Sequence, residues 1–136
     1  MYVHKTKLRV RYAETDQMGY VYYGNYAAYY EVARVETLRS LGFTYKELED
    51  SGVMLPVLEF QIKYVKPAFY DEELTIETTI SKLPQARIAF DYKTYNQKNE
   101  LLNFGSTTLV FVNIETKKPT QAPQEMLQAL KPFMES

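Results

Sequence analysis

The chain has no cysteine and no tryptophan, and only 1 of its 136 residues is histidine. Without cysteine there is no thiol nucleophile, no thiolate-held zinc or iron–sulfur cluster and no disulfide framework. A Ser-His-Asp triad, a hydratase dyad or a multi-histidine metal site would each depend on His4, which lies near the chain start on an alternating segment and reads as a strand residue. No GxGxxG, Walker or GxSxG pattern occurs among the few glycines. Neither sign of charge dominates: 16 Lys and Arg against 17 Asp and Glu leave a net charge of −1. No broad positive field is available to attract nucleic acid or anionic lipid. The opening MYVHKTKLRVRY has no apolar signal core, and no later apolar run reaches membrane-spanning length. These absences predict a soluble, cytoplasmic protein with no membrane insertion and no nucleic-acid partner.

What is present is the composition of one compact domain, 46% hydrophobic and 24% charged, assigned to residues 1–136. A chain of this size buries enough surface to fold without metal or disulfide staples. Its 13 tyrosines and 7 phenylalanines suit half-buried sheet surfaces and interfaces, where one end of the ring stays wet.

Periodicity supplies the element order. Tyr2 to Arg11 alternates and predicts a first strand, ending in the turn-forming run Ala13–Gly19. From Asn25 to Leu41, Tyr26, Tyr29, Tyr30, Ala33, Leu38 and Leu41 fall on one 3.6-period face, with Glu31, Arg34, Glu36 and Arg39 mostly elsewhere, and Gly42 closes a long helix. Thr44 and Glu47 form a capping box for a short helix ending at Gly52. Four strands follow, around Leu58–Tyr64, Leu74–Ser81, Ile88–Lys93 and Leu101–Asn113, with Asn96–Asn99 as a hairpin turn and Gly105 as a bulge or close approach. A last helix begins near Pro123 and carries Met126, Leu127, Leu130 and Phe133 on one side. The class is α+β: an antiparallel sheet covered by one long helix, with strand edges that favour self-association.

Asp16 stands out by position. It lies in a tight loop just before the long helix, where free N–H groups and the positive dipole end can receive developing negative charge. A carboxylate serves as nucleophile or as base for water, and a helix-start N–H polarises a carbonyl and holds its oxyanion. Hydrolysis of an activated acyl group needs little else. From physics alone, a turn or cap role for Asp16 explains the same residue.

The run Arg11-Tyr12-Ala13-Glu14-Thr15-Asp16-Gln17-Met18-Gly19-Tyr20-Val21-Tyr22-Tyr23-Gly24-Asn25-Tyr26 resembles the signature of hotdog-fold acyl-CoA thioesterases of the 4-hydroxybenzoyl-CoA thioesterase type, including the Tol-Pal-associated branch. The similarity continues through Glu31–Arg34, Tyr64–Glu72 and Ile114–Pro119 and so covers nearly the whole chain. It implies a hotdog, a single antiparallel sheet wrapped around one central helix, and an acyl-CoA thioesterase that releases free CoA and a carboxylic acid. Asp16 matches the catalytic carboxylate, as nucleophile or general base. Tyr23 takes the place where many Tol-Pal-type members carry histidine, and a phenol, with a reference pKa of about 10, cannot replace a neutral base; a positioning role is assigned to it. The backbone N–H groups of Tyr23 and Gly24 would hold the oxyanion whatever the side chain.

Tyr20, Tyr22 and Tyr26, with Tyr30, Leu55 and Phe60, are candidates for the acyl chamber. Glu59 could assist across a dimer, although an exposed strand glutamate is the better account of it. Lys63, Lys66 and Arg87, with Lys82, are candidates for the CoA phosphates. The resemblance also implies a homodimer or a dimer of dimers and no metal or redox cofactor, coenzyme A being part of the substrate. Two rival readings are a non-catalytic acyl-thioester binding module, favoured by Tyr23 in place of histidine, and an acyl carrier protein thioesterase, which would want a basic surface patch.

Overall fold

The computed structural model describes residues 1–134. Five strands form one sheet in the order β1-β4-β5-β6-β3: β1 (Tyr2–Arg9), β3 (Val57–Tyr64), β4 (Glu73–Ile80), β5 (Arg87–Tyr95) and β6 (Leu101–Val110). Every pairing is antiparallel. Two short strands, β2 (Val53–Met54) and β7 (Val112–Asn113), make a separate ladder. Helices α1 (Asn25–Ser40), α2 (Tyr45–Asp50) and α3 (Gln124–Met134) complete the chain.

Helix α1 buries Tyr26, Tyr29, Tyr30, Ala33, Arg34, Thr37 and Leu38, a stripe at spacings of three and four that faces the sheet. It meets the alternating inward residues of β4 and β5: Leu74, Ile76, Thr78 and Ile80, then Ile88, Phe90, Tyr92 and Thr94. Tyr30 stacks on Tyr92 with ring centroids 4.2 Å apart, and its hydroxyl donates to Asn103 Oδ1 at 2.6 Å.

Arg34 departs from the simple amphipathic reading, which put it off the apolar face. It is buried, donates to the Tyr45 hydroxyl at 3.1 Å and lies 3.7 Å from Glu31. Burial works against its charge, but the neighbouring Tyr92 and Tyr45 phenols outweigh that and hold its pKa above the ordinary value.

The main difference from sequence expectation is the path from β3 to β4. Adjacent in sequence and joined by a short connection, they nevertheless do not pair. β3 lies against β6 at one edge and β4 against β1 towards the other. The connection, residues 65–72, crosses an end of the sheet, where the N–H groups of Val65 and Lys66 both donate to Leu102 O. The predicted last strand is also split. It turns at buried Phe111, whose N–H donates to Ala86 O, so that β7 leaves β6 and pairs with β2.

Gly105 marks a close approach. A Cβ there would collide with the Gln61 carbonyl oxygen and lie 3.0 Å from Ile62 Cα in the neighbouring β3.

Candidate active site

The loop between β1 and α1 is tied at every step. A single 3-10 turn at Tyr12–Glu14 is followed by Asp16, whose N–H donates to Tyr20 O at 2.7 Å and whose carbonyl accepts from Gly19 N–H at 3.0 Å. Gly19 has φ of +80°, which closes this turn and which a side chain would resist. Asp16 Oδ1 accepts the N–H of Met18 at 2.9 Å and of Tyr20 at 3.3 Å. The turn role and the chemical role therefore occupy different atoms: Oδ1 orients the carboxylate, and among the described residues Oδ2 has no hydrogen-bond partner.

The start of α1 redistributes its unpaired donors. Asn25 N–H donates to Tyr22 O at 2.9 Å and Tyr26 N–H to Tyr23 O at 3.2 Å, a tight turn leading into the helix. The N–H groups of Tyr23 and Gly24 are thereby left without an acceptor among the described residues. A helix normally leaves its first N–H groups unpaired. Here the pair immediately upstream of α1 is left free, still at the positive end of the helix dipole. The Tyr64 hydroxyl donates to Tyr23 O at 3.3 Å, on the other side of the same peptide that carries Gly24 N–H.

Asp16 and Tyr23 line one cavity of about 300 Å³. The loop contributes Asp16, Tyr20, Val21 and Tyr23, helix α1 contributes Tyr26, and the end of β3 with the crossover contributes Tyr64, Val65, Lys66 and Pro67. The crossover is fastened to the loop by Val21 N–H donating to Ala68 O at 2.8 Å, by an isolated bridge between Tyr20 and Phe69, and by the edge-to-face packing of those two rings at 5.2 Å. Most of the wall is aromatic or aliphatic, and Asp16 contributes its carboxyl group to the lining. Burial pushes the Tyr26 phenol well above its ordinary value, with the nearby Tyr64 adding to the shift, so Tyr26 stays a neutral ring with one hydroxyl. Such a site suits an apolar or aromatic acyl group presented beside one carboxylate and two N–H donors.

Of the residues singled out from sequence, Asp16, Tyr20, Tyr23, Tyr26 and Lys66 line this cavity; Gly24 follows Tyr23 in the chain and is not among the lining residues. Tyr22 does not line it; its ring packs against Tyr23 at 4.8 Å. Lys66 is already engaged, with Nζ 2.6 Å from Glu100 Oε2. Glu59 and Lys63 pair across the ladder with Thr108 and Phe104, and alternate with the inward Phe60, Ile62 and Tyr64, so they lie on the sheet face opposite the helix. Arg87 lies with Lys82 in a separate concavity lined by residues 82–87 and Ala89, which holds no carboxylate. Tyr64 and Val65 were not predicted as site residues. No local spacing marks them, because only the crossover of the chain brings the end of β3 to the loop.

The sequence pattern of the thioesterase-like superfamily matches residues 10–130. YneP of Bacillus subtilis strain 168, provisionally named an acyl-CoA thioesterase, is 39% identical over 121 residues, covering 89% of this chain and 88% of the relative. The acyl-CoA thioester hydrolase YbgC of Escherichia coli O6:H1 is 33% identical over 124 residues, covering 91% and 92%. Among solved structures, a DHNA-CoA thioesterase from Staphylococcus aureus superposes with a TM-score of 0.85 at 39% identity, covering 89% of this chain and 81% of that one.

Proposed function

The chain belongs to the thioesterase-like superfamily, and from that membership and the site we propose that it hydrolyses acyl-CoA thioesters with Asp16 as the catalytic carboxylate. The observation that carries the proposal is that one cavity is lined both by Asp16, whose Oδ2 has no hydrogen-bond partner among the described residues, and by Tyr23, whose N–H, like that of the next residue Gly24, has no acceptor among them.

The acyl group enters the aromatic cavity with its thioester carbonyl oxygen toward Tyr23 N–H and Gly24 N–H. Asp16 Oδ2 takes a proton from water, and the oxygen of that water bonds to the carbonyl carbon. The two N–H groups hold the oxyanion that forms. Its collapse breaks the C–S bond, the CoA sulfur leaves with the bonding pair and takes up the proton that Asp16 accepted, and the carboxylic acid is released with the Asp16 carboxylate restored. In the alternative course, Oδ2 itself attacks the carbonyl carbon, CoA leaves, and water then cleaves the resulting anhydride. In single-turnover hydrolysis in ¹⁸O water, label in Asp16 identifies an anhydride attacked at the aspartyl carbon. Label only in the product is the outcome both of general-base catalysis and of an anhydride attacked at the acyl carbon, which chemical trapping of the acylated Asp16 then tells apart.

We assign the mouth of the cavity near Lys66 to the CoA phosphates, Lys66 exchanging Glu100 for phosphate. Glu59, Lys63 and Arg87 lie off this cavity within their own chain, so a role for them requires a second copy. A homodimer or dimer of dimers, a cytoplasmic location and one acting domain over residues 1–136 complete the reading.

Thiol release from a panel of acyl-CoAs, aliphatic esters together with the DHNA-CoA named for the structural relative, tests it. Asp16→Asn and Asp16→Ala are expected to lower kcat by about 10²–10⁴-fold. Full turnover in both variants, or none in the wild type, refutes the assignment. Tight CoA-ester binding by an inert wild type would instead identify a binding module.

A further inference from the structure

Glu14 is a second acid in the loop, two residues from Asp16 and absent from the cavity wall. Its carboxylate is more heavily engaged than any surface role requires. Oε1 accepts Arg11 N–H and the Tyr29 hydroxyl, each at 2.8 Å, and Oε2 accepts the Arg11 guanidinium at 2.9 and 3.2 Å. Its main chain is used as fully: Glu14 O accepts Tyr22 N–H at 2.8 Å and the side-chain amide of Asn25 at 2.8 Å. The side chain thus reaches the second turn of α1, while the carbonyl reaches its first residue and the strand-like segment leading into it.

The charge state supports these bonds. Burial would raise the Glu14 pKa, but the bonds from Arg11 and Tyr29 outweigh it and hold it below the ordinary value. Burial raises the Tyr29 phenol, and its bond to the Glu14 carboxylate raises it further, so the hydroxyl stays a donor.

We propose that Glu14 is the positioning residue of the hydrolase: with Tyr29 and Asn25 it clamps the loop bearing Asp16 to the helix start bearing the Tyr23 and Gly24 N–H groups, and so fixes the distance between the two halves of the site. The proposal rests on the hydrolase reading but concerns residues outside the cavity. Without the clamp, Asp16 keeps its own turn, since the Met18 and Tyr20 N–H bonds to Oδ1 are local. What is lost is registration of that turn against α1. Displacement of a reacting group by about 1 Å can cost on the order of 10²-fold in rate.

The test uses Glu14→Gln, Tyr29→Phe and the double variant. Tyr29→Phe keeps the ring, which packs edge-on against Tyr26 at 5.5 Å, and removes only the hydroxyl. Each single variant is expected to lower kcat by about 10- to 100-fold with KM within about twofold. The double variant should be little worse than the poorer single, because both changes break one device. A thermal shift without a change in kcat, a rise in KM at constant kcat, or fully additive losses would each overturn the proposal.

Amide hydrogen exchange provides a readout independent of turnover. In Glu14→Ala the Tyr22 N–H, which donates to the Glu14 carbonyl between loop and helix start, should lose protection, while the Tyr20 N–H held by Asp16 and the amides of β5 and β6 keep theirs. Unchanged protection across the loop refutes the clamp even if turnover falls. A wild type inert towards every acyl-CoA refutes the hydrolase reading and with it any catalytic positioning. An active wild type with normal Glu14 and Tyr29 variants leaves the hydrolase intact and removes only the clamp.

Discussion

At the scale of single residues, four tyrosines are set apart by burial together with a raised phenol pKa. Tyr26, Tyr29, Tyr30 and Tyr92 are buried, and burial pushes each phenol above the ordinary value of 10.0, Tyr92 to about 12 even with the Thr107 hydroxyl and Arg34 opposing the shift. For a group that the fold keeps neutral, the unfolded chain ionises first as pH rises. The stabilisation is therefore complete below about pH 10 and is lost progressively above it. In an alkaline titration followed by phenolate absorbance, the phenolates of Tyr26, Tyr29, Tyr30 and Tyr92 should appear only together with loss of far-UV ellipticity. Titration of these four in a chain that stays folded would contradict the packing of α1 on the sheet.

At the scale of elements, the site depends on β3 staying in register with β6, because β3 delivers Tyr64 and the crossover. The two backbones approach closely at Gly105, where a Cβ has no room. Gly105→Ala is expected to destabilise the fold by about 1–3 kcal/mol, the usual cost of overpacking, read as a lower urea midpoint. It should also lower thioester turnover in the fraction that remains folded, through displacement of Tyr64 and Lys66. A stability loss with undisturbed kcat would mean that the site does not depend on the β3–β6 register. Sequence periodicity showed the strand and marked Gly105 for close approach, yet the partner strand was not legible, since a side-chain alternation is the same whichever neighbour it meets.

For the whole molecule, the open feature is the edge of the sheet at β3. That strand is exposed along nearly its full length, and Val57, Leu58, Phe60 and Tyr64 are among its uncovered apolar residues. An exposed apolar edge is a template for pairing with another chain. In keeping with the proposed dimer, sedimentation should give about twice, or about four times, the 15.9 kDa chain mass. A lysine at Leu58 should shift that equilibrium toward the single chain. A wild type that sediments as a single chain at micromolar concentration would refute the shared assembly.

The sequence by itself determined the elements and the chemistry available to them: the alternating runs, the stripe on α1, the Asp16 turn before a helix start, and the lack of thiol or histidine chemistry. Those follow from local periodicity and side-chain type, which neighbours along the chain are enough to express. Only the tertiary structure decided which candidates share a site. The crossover of residues 65–72 carries Tyr64 and Lys66 to the Asp16 loop, whereas the pleat turns Glu59 and Lys63 to the opposite face of the sheet. The tertiary fold likewise turned Glu14 from an ordinary turn acid into an anchor for α1, since its bonds to Tyr29 and Asn25 span 15 and 11 positions and exist only once helix and loop are packed.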